Sequence, residues 1–345
     1  MTTSAGSGTK PDVLRGAPAG GRRRRVAPAA RYIIPLVVGL AAILLADAMG
    51  RSLANQGTEL LLLALLALSW NVIGGYGGLF SLGHQVFVGV GGYALIVILS
   101  HTDLPLPLVL ITAALLSALT GVVLGYPMLR LRGPYFAIGT LGVALAVLAW
   151  MLNWPFTKAS QSYPLPMSDS LGFTELFQLT VAIAVLALLA ITALVSSPLG
   201  LRLVALRDDE FGAASLGVRR VRTLLPVWAV SGFLAGLVGA LFALQQGSLT
   251  PTSAFSIQFV LDAIVVCVIG GVGTLYGPLI GAVVVFALRQ YTADFGEWAM
   301  LIEALVVILV VRLAPEGLWG IFGRLIRALR RGRPAGAVPQ KEGTS

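Results

Sequence analysis

Long uncharged apolar runs alternate with short polar breaks over most of the chain, near 31–48, 58–75, 82–100, 107–128, 134–152, 175–195, 223–244, 256–272, 276–292 and 297–313. A helix rising 1.5 Å per residue needs about 20 predominantly apolar residues to cross the hydrocarbon core of a bilayer. The pattern therefore predicts an all-α, polytopic membrane protein with about ten transmembrane helices, some of them broken or rich in glycine. Composition agrees: 57% of residues are apolar, 11% are charged and the mean hydropathy is +0.89, so the charges must sit outside the long runs.

Where those charges fall predicts the orientation, because translocating a positively charged loop is disfavoured. With the amino terminus inside, the cytoplasmic segments collect Arg22, Arg23, Arg24, Arg25, Arg130, Arg132, Arg202, Arg207, Arg219, Arg220, Arg222 and the arginines of 324–333. The opposite side receives Arg51, Lys158 and Arg289. Both termini are thus expected in the cytoplasm. The net charge of +9 is divided among a leader, a loop and a tail instead of forming one domain. Anionic lipid headgroups fit that distribution as partners, and nucleic acid does not. Residues 1–30 lack the apolar core and small-residue cleavage site of a secretory signal and read as a disordered basic cytoplasmic leader, and 321–345 as a basic cytoplasmic tail. Cys267 is the single cysteine, which excludes a disulfide and a cysteine-based metal site. His84 has no second histidine or carboxylate nearby, so no metal is expected there either, and it reads as a helix-packing residue.

The polar segment 197–218, SPLGLRLVALRDDEFGAASLGV, predicts two short helices with a bend between them. Pro198 closes the preceding run, Leu201, Val204 and Ala205 recur at helical spacing, and Asp208 and Asp209 can cap a second helix. Glu210 then lies in its positive first turn and Gly217 at the left-handed stop. Leu201, Val204, Phe211 and Ala214 offer small apolar knobs ringed by Arg202, Arg207, Asp208, Asp209 and Glu210, a surface suited to a protein groove. An ordinary connecting loop whose arginines obey the positive-inside rule is the alternative.

Glycines crowd 71–93, NVIGGYGGLFSLGHQVFVGVGGY, although glycine costs about 1 kcal/mol of helix stability relative to alanine. Two explanations stand side by side. Small residues let helices approach closely in lipid, which the spacing of Gly89, Gly91 and Gly92 suits. A broken helix bordering a water-filled path suits Gly74, Gly75, Gly77 and Gly78, with Ser81, His84 and Gln85 beside it. A third segment, 262–282, echoes this cluster with Gly270, Gly271, Gly273, Gly277, Pro278 and Gly281, as a weak internal duplication would. Asp262, Arg289 and Glu303 are charged within or at the edge of apolar runs and need partners; Asp262 stands alone, while Arg289 and Glu303 can pair with each other or with headgroups. Asn71, Gln245 and Gln246 are similar, the two glutamines at an outer mouth.

Arg207, Asp208, Glu210, Ala213, Ala214 and Gly217, followed by an apolar helix with Ser231, Gly232, Ala235, Gly236 and Gly239, resemble the ATPase-docking loop of bacterial ABC importer permeases. Gly75, Tyr76, Gly78, Ser81, Leu82, Gly83, His84, Gly89, Gly91 and Tyr93 resemble more narrowly the branched-chain amino acid permeases of the LivM type, with Gln85 and Val86 departing from the small residues common there. The likeness extends to Arg132, Gly133, Tyr135, Ala137, Ile138 and Thr140 and to Pro315, Glu316 and Gly317, covering roughly 58–320. It implies the ABC importer permease fold over 31–320, with 196–222 as the cytoplasmic ATPase-coupling loop through Arg207, Asp208, Asp209, Glu210, Ala213, Ala214 and Gly217. Asn71, Tyr76, Ser81, His84, Gln85, Tyr135, Thr140, Gly270, Gly271 and Gly273 are then the candidate translocation path. It further implies a bacterial inner-membrane location and, as partners, two ABC ATPase subunits, a second LivH-like permease and an extracytoplasmic solute-binding protein.

The chain itself offers no fuel-burning centre. Lys10, Lys158 and Lys341 are its lysines, and none follows the glycines of a phosphate-binding loop. Gly-x-Ser-x-Gly and His-Glu-x-x-His motifs are also missing. No cofactor is expected on this chain, and ATP and magnesium would be used by the partner ATPases. The resemblance implies branched-chain amino acids as substrate, with urea or short-chain amides as the neighbouring class. The competing reading is a self-sufficient ion-coupled carrier, which needs intramembrane carboxylates for coupling and leaves the helices of 197–218 without a role.

Overall fold

The computed structural model describes residues 30–166, 171–296, 298–313 and 317–320. The leader, the basic tail and the Pro315–Glu316 pair therefore lie outside the described residues, as does the side chain of Glu303. Each predicted apolar run is helical: α1 (Ala30–Leu45), α2 (Arg51–Asn71), α3 (Gln85–His101), α4 (Leu106–Met128), α5 (Pro134–Asn153), α6 (Phe173–Ser196), α9 (Arg220–Gln246), α11 (Gln258–Gly270), α12 (Gly277–Thr292) and α13 (Trp298–Leu313). Between α6 and α9 lie α7 (Pro198–Asp208) and α8 (Glu210–Ser215), the two short helices expected there, and the single turn α10 (Pro251–Ala254) precedes α11. Among the described residues, strand is limited to a two-residue antiparallel pair, β1 (Tyr163–Pro164) with β2 (Ser248–Leu249).

Among the described residues, six segments are long and apolar enough to cross a membrane: Arg51–Tyr76, Leu106–Met128, Pro134–Asn153, Phe173–Ser196, Arg220–Gln246 and Pro251–Gly270. The remaining apolar helices α1, α3, α12 and α13 run 16 or 17 residues. In α3 and α12 the shortness has a visible cause, since residues 77–84 and 271–276 leave the helical ladder just before each begins.

The centre of the bundle is α9, against which α3 and α4 pack backbone to backbone. A Cβ at Gly91 would strike the Gly236 carbonyl, and one at Gly239 would strike that of Val88. Ser117 of α4 enters the same junction, its Oγ 2.9 Å from the carbonyl oxygens of both Phe87 and Gly232. Gly89 lies against the Phe255 ring. The glycines of α3 thus serve close packing, one of the two readings of the cluster, and α3 is unbroken through them. Beside them Trp228 receives the edges of Phe87 and Phe136, each with centroids 5.5 Å away.

α2 completes the core through polar links that cost nothing in exposed surface. Ser231 Oγ donates to the Ser69 carbonyl at 2.6 Å, and the buried Cys267 thiol to that of Ala67 at 3.2 Å. Outward faces are apolar instead, as on α1 with Leu36, Val37 and Leu44 and on α5 with Ile138 and Leu145. Helices exposed in this way find their solvent in lipid tails.

Candidate functional site

α2 does not end in a cap. At Val72–Tyr76 its ladder widens to a π turn, and the Leu79 N–H then reaches back to the Ile73 carbonyl at 3.1 Å. Gly78 follows at φ +69°, a left-handed conformation that glycine adopts without the Cβ clash. Gly74 to Gly78 therefore break the helix, as the second reading of the cluster required.

A matching break lies beyond α11. Residues 72–79 read VIGGYGGL and 268–275 read VIGGVGTL, and the two copies meet. Asn71, 1% exposed, donates from Nδ2 to the Thr274 carbonyl at 2.8 Å and accepts at Oδ1 from the Gly273 N–H at 2.8 Å. A planar amide with one donor and one acceptor edge is the group that can close both bonds to an irregular backbone. Gly75 lies so near Gly273 that a side chain would overlap its amide, while Gly273 takes φ +73° and Gly271 φ +123°. Gly270 faces the Gly277 carbonyl with no space for a Cβ.

The junction is joined to α7. Arg207 donates from Nη1 to the Gly75 carbonyl at 3.3 Å, and Gly78 packs against the Arg207 aliphatic stem. The head of Arg207 also pairs with Asp208 at 3.1 Å. The last turn of α7 thus touches the broken end of α2 directly, a contact across 132 residues of sequence that no periodicity reveals.

α7 and α8 form as their caps dictate. Ser197 Oγ accepts from the Gly200 N–H, and Pro198 occupies the first helical turn where its missing N–H is harmless. Asp209 Oδ1 accepts from the Phe211 and Gly212 N–H groups, each at 3.0 Å, so Asp209 is the cap of α8 and Asp208 ends α7. Gly217 stands at φ +85°, the expected left-handed stop. Glu210 does not project as part of a free rim. It bridges Arg132 at 3.1 Å and Arg220 at 3.5 Å, and Arg220 donates in turn to the Leu129 carbonyl. The connection between α4 and α5, the start of α8 and the start of α9 are held together by that bridge. Arg132 also lies over the Phe211 ring, 5.7 Å from its centroid.

Of the coupling-loop residues, Arg207, Asp208, Asp209, Ala214 and Gly217 are exposed, whereas Ala213 is buried and packs α8 onto the bundle. The exposed apolar knobs are Leu201 at 73%, Phe211 at 77% and Leu216 at 85%, with Val204 half-buried. Leu216 is the one that sequence reasoning missed. It follows the last turn of α8, and only the placement of that turn aims it outward.

The path candidates divide into three groups. Asn71, Tyr76, Gly270, Gly271 and Gly273 gather at the paired breaks, where Tyr76 with Thr192, Ser196, Tyr276 and Trp319 lines a cavity of about 400 Å³. Ser81, His84, Gln85 and Thr140 form a separate buried cluster. There Thr140 Oγ1 accepts from the Leu82 N–H at 3.1 Å, Trp70 Nε1 donates to the Ser81 carbonyl at 3.0 Å, and His84 Nε2 shares a 3.1 Å hydrogen bond with Ser69 Oγ. His84 Nδ1 and Gln85 Oε1 are buried without a hydrogen-bond partner. Tyr135, 74% exposed on the outer face of α5, joins neither group, because α5 turns that side away from the bundle. At the far end of α2 and α9, Asp262 does not stand alone: Arg289 binds it at 2.6 and 3.1 Å.

A family model described as the branched-chain amino acid transport system / permease component matches residues 52–311. The chain belongs to this permease family. The match runs from the first turn of α2 into α13 and includes both glycine breaks and the α7–α8 elbow. Among curated relatives, the permease is 30% identical to the high-affinity branched-chain amino acid transport system permease protein LivM of Salmonella typhimurium, over 78% of this chain and 70% of that one. It is 29% identical to the protein of the same name from Escherichia coli, with the same coverage. The autoinducer 2 import system permease protein LsrC of an Enterobacter species is 28% identical over 59% of this chain and 63% of its own. No solved structure matches the chain. A permease component is a transport subunit in the membrane and not an enzyme, consistent with the apolar helices described above.

Proposed function

We propose that this permease is the membrane subunit of an ATP-driven importer that carries branched-chain amino acids inward across the bacterial inner membrane, crossing it ten times with both termini in the cytoplasm. The observation that carries this reading is the α7–α8 elbow. It exposes Leu201, Phe211 and Leu216 beside charged residues at one end of the bundle, and its other side is bound to the broken end of α2 through Arg207 and Gly75. A soluble subunit seated on those knobs can pull α7, and α7 cannot move without disturbing the paired breaks.

The substrate assignment rests on the two relatives named as branched-chain amino acid permeases. A second, LivH-like permease would complete the membrane pair, two ATPase subunits would bind ATP and magnesium, and an extracytoplasmic binding protein would deliver the solute. Closure of the ATPases on ATP moves the elbow, the Arg207–Gly75 contact transmits that movement, and the helices beyond the breaks change which side the path faces.

The double substitution Phe211→Ala and Leu216→Ala tests the reading. Membrane insertion and the melting temperature of the purified chain should stay near wild type, because both side chains are exposed, while ATPase subunits no longer co-purify and leucine uptake by cells is lost. Unchanged co-purification and uptake would remove the elbow from the mechanism.

A further inference from the structure

A second hollow lies at the other end of α9, roughly 40 Å along the helix from Arg220. Its volume is about 200 Å³, and it is set between α2, α9, α11 and α12. That is below the ~300 Å³ where pockets for drug-sized ligands begin, so a small molecule fits it. Glu59, Gln246, Asp262 and Arg289 supply polar groups, and Leu62, Leu66 and Phe242 an apolar wall. One side is charged and the other greasy.

The charged side is built and not accidental. Arg289 grips Asp262 through two nitrogens, at 2.6 and 3.1 Å, and Gln258 adds an amide to the same carboxylate at 2.8 Å. Asp262 is thereby neutralised and its position fixed. Glu59, exposed toward the hollow, accepts an amide hydrogen from Asn55 at 3.0 Å, and Asn55 in turn accepts from Gln245 at 3.1 Å. Among the described lining residues, two carboxylates and one guanidinium leave a net charge of one negative. Glu59 follows the polar first turns of α2, RSLANQGT, and offers an ammonium group its counter-charge at the hollow.

We propose that this hollow is the outer acceptor site for a free zwitterionic α-amino acid with an aliphatic side chain, an inference that rests on the importer reading above. The ammonium group sits on Glu59. The carboxylate is received by the Gln246 amide, beside the Arg289–Asp262 pair, and the aliphatic side chain lies against Leu62, Leu66 and Phe242. Each part of the ligand then meets its own chemistry, and an uncharged amide such as urea leaves both the Glu59 charge and the apolar wall unanswered.

The test is binding of tritiated L-leucine to the full chain in nanodiscs, measured by scintillation proximity without any binding protein. Wild type should bind; Glu59→Gln should weaken binding about tenfold or more, the worth of one charge-assisted hydrogen bond, and Glu59→Asp should restore most of it. The deaminated analogue 4-methylpentanoate, which lacks the ammonium group, should fail to compete. No leucine binding by wild type, an unaltered Glu59→Gln, or competition by 4-methylpentanoate equal to that of leucine overturns the site. Uptake by cells deleted for the chain separates this from the larger reading: if deletion abolishes leucine uptake while wild-type chain binds no leucine, the importer stands and the acceptor site falls.

Discussion

Replacing Asn71 with alanine removes the clasp between the two glycine breaks and nothing else of comparable size. The side chain closes two hydrogen bonds of 2.8 Å, to the Gly273 amide and the Thr274 carbonyl, and both partners are only half-buried. A buried group stripped of its partner costs about 1–3 kcal/mol, so the lower end applies to each and the pair comes to about 2 kcal/mol. Alanine's better helix propensity does not offset this, because α2 remains helical whether the 271–274 turn is docked or open. Two kcal/mol corresponds to about a 30-fold shift toward the open turn. Amide hydrogen exchange, read by mass spectrometry on a peptide spanning 268–280, should accelerate at Gly273 by about that factor, with little change in α3 or α4. Asn71→Asp should fall between, since a carboxylate still accepts from Gly273 but no longer donates to Thr274. Exchange at Gly273 within twofold of wild type in Asn71→Ala would refute the clasp between the end of α2 and the 271–274 turn.

Further outcomes follow from the packing and the charge bridge. Gly239→Ala forces a methyl group onto the Val88 carbonyl, where backbone and not a flexible side chain must yield, so it should cost about 1–3 kcal/mol and lower the melting temperature of the purified permease. Gly217→Ala meets open space but must hold φ +85°, so it should destabilise the end of α8 by about 1 kcal/mol and loosen the elbow in limited proteolysis. Glu210→Lys turns a bridge between two arginines into three neighbouring cations. Arg132 is largely exposed but the Arg220 side chain is only 14% so, and stability should fall by about 2–3 kcal/mol, while uptake falls far more if the bridge aligns α8 for docking. Uptake that drops only in step with stability would reduce Glu210 to a structural role.

Much of the architecture was legible in the order of residues alone. Apolar runs of membrane-crossing length dictate helices, because a backbone in lipid must bond within its own segment. Ser197, Asp209 and Gly217 dictate where α7 and α8 start and stop, since their caps are made by residues two or three positions away. The break at 74–78 shows in its glycines for the same local reason, and the glycines from 270 onward show only as an echo of it. What the order of residues left undecided is what each glycine meets: Gly91, whose spacing suits packing, faces the Gly236 carbonyl on a partner helix, and Gly75, in the cluster that suits a break, faces the Gly273 amide of a turn. Partnerships across long separations also came only from the tertiary fold. Arg289 found Asp262, Glu210 found Arg132 and Arg220, Arg207 found the Gly75 carbonyl, and Tyr135 turned outward while Thr140, five residues on, turned in. Helical and capping preferences act over a few residues and are written along the chain, whereas ion pairs and backbone contacts between helices depend on which faces the packed bundle brings within a few ångströms.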